Sequence, residues 1–578
     1  MIEYHYIQKK RVISMKFSEM KYVRPDFSST KAKYEQLIKS FSQASSFQEQ
    51  SGFMEKINDL RRSFMTMQVL VNVRATINTK DPFYEEEMNF FDEKGPLFEE
   101  LNNSFYKELV KSKFRKEMEE KWGKQLFALA DLSLKSFSPE IINDLQIENK
   151  LTSKYTKLLG SAKIMFEGQE RNLSQMTPFE QSADRQTRKN AVQAKFKWFE
   201  EHLEEFDDIY DELVKVRDTI AKKLGYKNFV QLGYDRLGRT DYNPSMVANY
   251  REQVRRYIVP MACKIFSKQQ DRIGIDHLFY YDESFTFEGG NPKPIGTYDD
   301  LVKKAQKMYR ELSRETGDFF DFMIENELFD LVAKEGKAPG GYCTFIPDYQ
   351  SPFIFSNFNG TSGDVDVLTH EMGHAFQVYS SKDFKIPEYG WPTLEACEIH
   401  SMSMEFITWP WWELFYSENA EKARYMHLAS SLTFIPYGVS VDEFQHFVYE
   451  NPQATPKQRR EKWSEIEKKY LPHRDYDAIG YLVNGGFWQR QSHIYKDPFY
   501  YIDYTLAQVC AFQFWSKFRQ DREKAWQDYV RLCRAGGSKP FTGLLEIANL
   551  KSPFENGCLE PVSKVIESYL DSIDDKKL

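Results

Sequence analysis

The chain has 578 residues, 41% of them hydrophobic and 16% aromatic, which is ample material for a large folded core. Its 28% charged residues come as 78 Lys and Arg against 86 Asp and Glu, a net charge of −8. That balance excludes a disordered chain and a nucleic-acid binder with its basic excess. No apolar run approaches the roughly 20 residues that span a bilayer, so a membrane is not an expected partner either.

The opening segment, MIEYHYIQKKRVISMKF, is basic but has no apolar stretch and no small-residue cleavage site, so it does not read as a secretory signal. Starts at Met1 and at Met15 both fit. Helical patterns follow over residues 31–70 and 96–137. Another runs over 148–224, where Phe199, Leu203, Phe206, Ile209, Leu213 and Val216 recur at spacings of three and four. A further helical pattern covers 299–331, through Leu301, Ala305, Met308, Leu312 and Phe319. Between 336 and 364 the chain reads GKAPGGYCTFIPDYQSPFIFSNFNGTSGD, and its glycines, prolines and aromatics predict short strands joined by turns. The expected architecture is mainly α, with an N-terminal helical region at 1–147, a second helical region at 148–578 and a small sheet at 336–364. An exposed edge of such a sheet can accept an extended peptide as an added strand, and a structural hairpin fits the segment equally well. The six cysteines (Cys263, Cys343, Cys397, Cys510, Cys533, Cys558) form no C-x-x-C pair. They predict reduced thiols in a cytoplasmic protein, not a disulfide framework or a cysteine zinc site.

Immediately after the strand-like segment comes VDVLTHEMGHAFQVYSS, which holds the pattern H-E-x-x-H. Residues four apart share a helix face, so His370 and His374 can offer ring nitrogens to one metal ion. Glu371, one step round the helix, can reach a water at that metal without ligating it. Val367, Leu368, Met372, Ala375 and Phe376 supply apolar surface to bury the helix, with Ser362 or Asp364 as its N-cap. With ten histidines in the chain, chance produces this pattern in only about one or two sequences in a hundred. A catalytic zinc ion has three protein ligands and one open position. The position six residues after His374 is Ser380, which excludes a third histidine there. The downstream segment TLEACEIHSMSMEF offers Glu395 and Glu398, with Glu405 two turns beyond, and spacing alone does not choose between the first two.

HEMGHAF followed 24 residues later by Glu398, then Ser401 and Glu405, resembles the thimet oligopeptidase and oligoendopeptidase F family of zinc metallopeptidases. RDTIAKKLGYKNF, FNGTSGD and AGGSKPFTGLLEIANLKSP also look like segments of that family, so the resemblance covers most of the chain from about residue 148. It implies a two-lobed helical fold with a deep substrate channel and one zinc ion per chain. His370, His374 and Glu398 are the implied ligands and Glu371 the base, with Glu405 near the metal site. The late segment SHIYKDPFYYIDYTLAQVCAF is similar to the family's stretch of one histidine and two tyrosines facing the metal, which implies roles for His493, Tyr501 and Tyr504. Its His-to-Tyr spacing is one residue shorter than in thimet-type members, and Lys496-Asp497-Pro498 replaces their glycine-rich loop, so Tyr500 stays open beside the other two. The resemblance implies internal cleavage of short, unstructured oligopeptides in the cytoplasm. Two alternatives are a non-catalytic peptide-binding protein that keeps the metal and an exopeptidase on a related helical scaffold.

Overall fold

The computed structural model describes residues 15–334, 336–338 and 340–578; the choice between Met1 and Met15 falls on residues outside these. The chain forms two compact units, each discontinuous: Met1–Gly123 with Pro294–Trp391, and Lys124–Lys293 with Pro392–Leu578. The single boundary expected at 147/148 is therefore not the one that compactness draws. A cut read along the sequence cannot register a later segment that returns to the first helices. Here the return is explicit: Phe17 N donates to Asn326 O at 2.8 Å, and Thr79 N to Gly336 O at 2.7 Å.

The first unit opens with helices α1 (Phe27–Gln43), α2 (Phe47–Ile77) and α3 (Pro82–Val110). Asp26 and Ser46 cap the first two by accepting the Ser29 and Glu49 amides. Asp81 caps α3 with Pro82 in the first turn, so this helix begins well before the expected residue 96. Pro96 lies inside α3, where its missing N–H costs a backbone bond. Packing offsets that: Phe64 and Phe98 stack with centroids 4.0 Å apart, and Phe41 meets Phe105 edge-on.

The first stretch of the second unit, 124–293, includes α4 (Ile142–Gly160), a hairpin of β1 (Ile164–Phe166) and β2 (Gln169–Arg171), and α5 (Leu203–Lys223). The hairpin interrupts the helical run expected over 148–224. Its turn residues Glu167 and Gly168 both take positive φ, 49° and 76°, the geometry a tight two-residue turn requires.

The chain then rejoins the first unit as α6 (Tyr298–Leu312) and α7 (Arg314–Glu325), separated where Ser313 caps α7 through the Thr316 amide. The tail of the expected helix at 299–331 is instead strand β3 (Phe329–Val332). It joins β4 (Tyr342–Ile346) and β5 (Ser351–Phe358) in a sheet of order β3-β5-β4. β5 runs parallel to β3 and antiparallel to β4, with Tyr342 opposite Phe355 and Ile346 opposite Ser351. The central strand is buried along nearly its whole length, and helix α8 (Gly363–Ser380) packs against β4 and β5.

The remaining second-unit helices include α9 (Leu394–Ile407), α10 (Ala420–Glu450), α11 (Tyr501–Gln520) and α12 (Arg522–Ala535). α9 buries twelve of its fourteen residues, chiefly against α11. α10 approaches α11 so closely that a Cβ at Gly438 would meet Thr505 Cγ2 at 2.2 Å, so only glycine fits there. No described cysteine is bridged. Among the described residues no helix is long and apolar enough to cross a membrane.

Candidate metal centre

The turn before α8 is tied by its own side chains. Asp364 accepts the Asn359 and Gly360 amides at 2.9 and 2.8 Å, with Gly360 at φ 82°. Ser362 occupies the N-cap position, and Asp364 closes the loop. Val365, Leu368, Met372, Ala375 and Phe376 turn inward and seat the helix. This leaves His370 and His374 one turn apart on a half-buried face, ring centroids 5.0 Å apart, with Glu371 buried between them in sequence.

One donor atom each from His370, His374 and Glu398 lie within 4.8 Å of one another. Two imidazoles and a carboxylate suit a borderline-soft divalent ion such as zinc, whereas calcium and magnesium favour sites built from oxygen alone. The two glutamates that spacing left open have different surroundings. Glu398 accepts the Ser401 hydroxyl at Oε2 and the Tyr500 phenol at Oε1, both at 3.0 Å. Glu395 accepts the Tyr242 phenol and lies 3.7 Å from the Arg239 guanidinium, deep in the second unit. Glu405 pairs with His427 Nε2 at 2.6 Å, and Trp409 Nε1 donates to the other ring nitrogen at 3.3 Å.

The late segment gathers His493, Tyr500, Tyr501 and Tyr504, whose rings lie 5.0–5.9 Å from one another where they pair. Tyr500, the N-cap residue of α11, is the tyrosine that touches Glu398. It also hydrogen-bonds the Tyr504 phenol. Burial, then the Glu398 charge, pushes both phenols up, so each remains a protonated donor at neutral pH. Tyr501 instead packs its ring on Phe434 and Tyr437 of α10. His493 Nδ1 meets the Gln491 side chain at 2.8 Å, and Gln491 accepts the Tyr437 phenol at 2.9 Å. Burial lowers the His493 pKa and favours its neutral ring. Gln491 and Tyr437 carry no sequence signal that marks them, because only the fold brings them beside His493.

The site is thus an H-E-x-x-H helix whose histidines share a donor group with a glutamate of a later helix, in a mainly helical protein. The chain belongs to peptidase family M3, matching "Peptidase family M3" over residues 179–563 and "Peptidase M3 N-terminal domain" over 17–137. It is 20% identical over 412 residues to oligopeptidase PepF of Bacillus subtilis, a match covering 69% of this chain and 58% of that protein. It is 23% identical to an oligoendopeptidase F homolog of Borreliella burgdorferi, covering 68% of each. Among solved structures, PZ peptidase A with an inhibitor is 60% identical, with a TM-score of 0.93 over 97% of this chain and all of that one. A putative oligoendopeptidase F from Bacillus anthracis is 54% identical, with a TM-score of 0.89 over 98% and 99%.

Proposed function

We propose that this peptidase is a zinc-dependent endopeptidase that cuts internal bonds of short, unstructured oligopeptides in the cytoplasm. The observation that carries the reading is the convergence of His370, His374 and Glu398 with Glu371 on the same helix as the two histidines. A zinc ion in that donor set supplies Lewis acidity, polarising the scissile carbonyl and bringing the pKa of a water toward ~7. Glu371 accepts the proton of the attacking water and passes it to the leaving amine. Tyr504 and His493 donate toward the carbonyl oxygen as it gains charge. Tyr500 and Ser401 hold the Glu398 carboxylate in position. Tyr501 supports His493 through ring packing. β4, at the edge of the small sheet, offers backbone groups to an extended peptide.

The test combines metal analysis with an end-blocked fluorogenic peptide, with and without chelator. One equivalent of zinc and chelator-sensitive cleavage are expected, and blocked ends exclude an exopeptidase. Glu371→Gln keeps the metal while kcat falls by about 10²–10⁴. Full activity in that variant removes Glu371 from the base role, and metal without turnover in the unmodified protein favours the peptide-binding alternative. Tyr504→Phe lowers kcat by about 10²–10³. Tyr500→Phe acts first on zinc affinity, weakening it about 10- to 100-fold. Native globular proteins remain uncut.

A further inference from the structure

The second unit contains a cavity of about 320 Å³ that the proposed chemistry does not use. This is far more than the ~10–15 Å³ that admits one water. One wall is a stripe of α10, in which Met426, Ser430, Thr433 and Tyr437 follow each other at spacings of four and three. The opposite groups include Tyr280 and three arginines, Arg272, Arg474 and Arg490.

One cation of this cavity, Arg490, has no acid paired with it directly among the described residues, whereas Arg474 has two acids near it, with Glu467 3.7 Å away. Arg474 is matched by Glu283 in a two-pronged pair at 2.9 and 2.7 Å. Arg272 is matched by Asp575 at 2.6 Å, and Glu180 by Lys195 at 2.8 Å. Among the described residues no carboxylate pairs with Arg490, and its Nε is buried without a hydrogen-bond partner. Arg490 is nevertheless held in place: its guanidinium carbon stands 4.2 Å from the Phe487 ring centroid and 5.8 Å from that of Tyr437. Arg474 lies over the same Phe487 ring at 4.9 Å, so a second cation adds to the local positive field. A planar, permanently charged fork fixed against an aromatic wall is suited to gripping a carboxylate with two parallel bonds. The wall it rests on also leads to the proposed chemistry, because the Tyr437 phenol bonds Gln491 and Gln491 bonds His493.

We infer that this cavity is a subsite for a carboxylate of the peptide substrate, taken by Arg490, either the C-terminal carboxylate or an acidic side chain. The inference rests on the peptidase reading and adds to it a rule for where along a peptide the cut falls.

Two matched peptide pairs test it: free acid against C-terminal amide, and internal Glu against Gln. Binding is measured by fluorescence anisotropy on zinc-loaded protein carrying Glu371→Gln, so the readout does not need turnover. The charged member of one pair is expected to bind about 10- to 100-fold tighter than its neutral partner, and the pair that shows this identifies the source of the carboxylate. Adding Arg490→Gln brings that ratio close to one, and Arg490→Lys leaves an intermediate value. If Arg490→Gln does not fold, Thr433→Glu places a fixed carboxylate in the same cavity and removes the preference by competition. Ratios near one in the parent protein, or an undiminished ratio in a folded variant of either kind, overturn the subsite. Failure of the unmodified, zinc-loaded protein to cut any of the four peptides counts against the peptidase reading itself and is scored separately.

Discussion

Each unit buries an arginine among acids and a tyrosine, and the two clusters resolve their charge differently. In the first unit Arg61 donates to Glu388 at 2.7 Å, to Tyr106 at 3.0 Å and to Asn58 at 3.1 Å. One cation meets one carboxylate. Burial works to raise the Glu388 pKa, but Arg61 outweighs it and holds the carboxyl below its ordinary range. In the second unit Arg239 donates to Asp503 at 2.6 Å and stands 3.7 Å from Glu395, while Tyr242 bonds Glu395. Two acids share one cation. Burial, reinforced by the Glu395 charge, pushes Asp503 well above the carboxylate range despite Arg239. The number of acids per cation decides which sign wins at similar depth. The second cluster also bears on the proposed site: α9 carries Glu395 and Glu398, and α11 carries Asp503 one turn after Tyr500. Arg239 thereby fixes the register in which Tyr500 meets Glu398.

Removing the cation tests this most severely. Arg239→Leu leaves the Glu395 carboxylate uncompensated and takes the guanidinium from the Asp503 carboxyl as well, and is expected to cost about 3–5 kcal/mol in urea unfolding, with weaker zinc binding as the register of α9 and α11 loosens. Arg61→Leu strands one acid that Tyr106 still supports, so its loss falls near the lower end, about 3 kcal/mol. Equal losses would remove the distinction between the two clusters.

Acid distinguishes them next. His446 lies beside the second cluster, with Nε2 3.3 Å from Tyr234 Oη and 3.6 Å from Asp442, and with Arg251, Arg239 and Glu443 around it. Burial lowers its pKa to about 4, Asp442 notwithstanding. The unfolded chain takes up a proton near pH 6.5 that the folded protein refuses until about pH 4. Stability is therefore full above pH 6.5 and falls as pH drops through that window, by about 2 kcal/mol at pH 5. The Glu388 pair, with its lowered carboxyl, is untouched there and is lost only at more acid pH. His446→Gln should flatten the fall between pH 6.5 and 4.5 by about 1.4 kcal/mol per pH unit. An unchanged slope would mean that His446 is protonated in the folded protein.

What the sequence made legible follows from the range of the interactions. H-E-x-x-H is readable because one helical turn sets its geometry, and the strands at 342–358 because glycine, proline and aromatic residues mark them locally. Glu395 and Glu398 are indistinguishable by spacing, since only Arg239 and Tyr242, over 150 residues away in the chain, make one of them a core residue. Tyr500, Tyr501 and Tyr504 pose the same problem. Which ring meets Glu398 and which meets α10 depends on how α11 begins, and Tyr500 is its cap. The hairpin at 164–171 escaped a helical reading because its flanks are rich in helix formers and its turn shows only one glycine. The discontinuous units escaped because family membership and compactness cut this chain at different places: the family matches end and resume at 137 and 179, and the compact units change after 123, 293 and 391.

The smallest expected effect is the most discriminating. Asn has nearly the shape of a protonated Asp, keeps an oxygen for the Arg239 guanidinium and offers an N–H where the neutral carboxyl offers an O–H. If Asp503 is already neutral, Asp503→Asn changes stability by less than about 1 kcal/mol at pH 7. Glu388→Gln, by contrast, turns a charge-assisted bond into a neutral one and costs about 2 kcal/mol. The pH dependence has a definite sign as well. Folded Asp503 keeps a proton that the unfolded chain releases above about pH 4, so its contribution to stability declines as pH rises from there toward its folded pKa. Asp503→Asn removes that decline, which runs opposite to the His446 effect, and at pH 8 the variant should equal or exceed the parent. A loss there as large as that of Glu388→Gln would mean that Asp503 is ionised and paired as Glu388 is, and the cation would then be serving both acids.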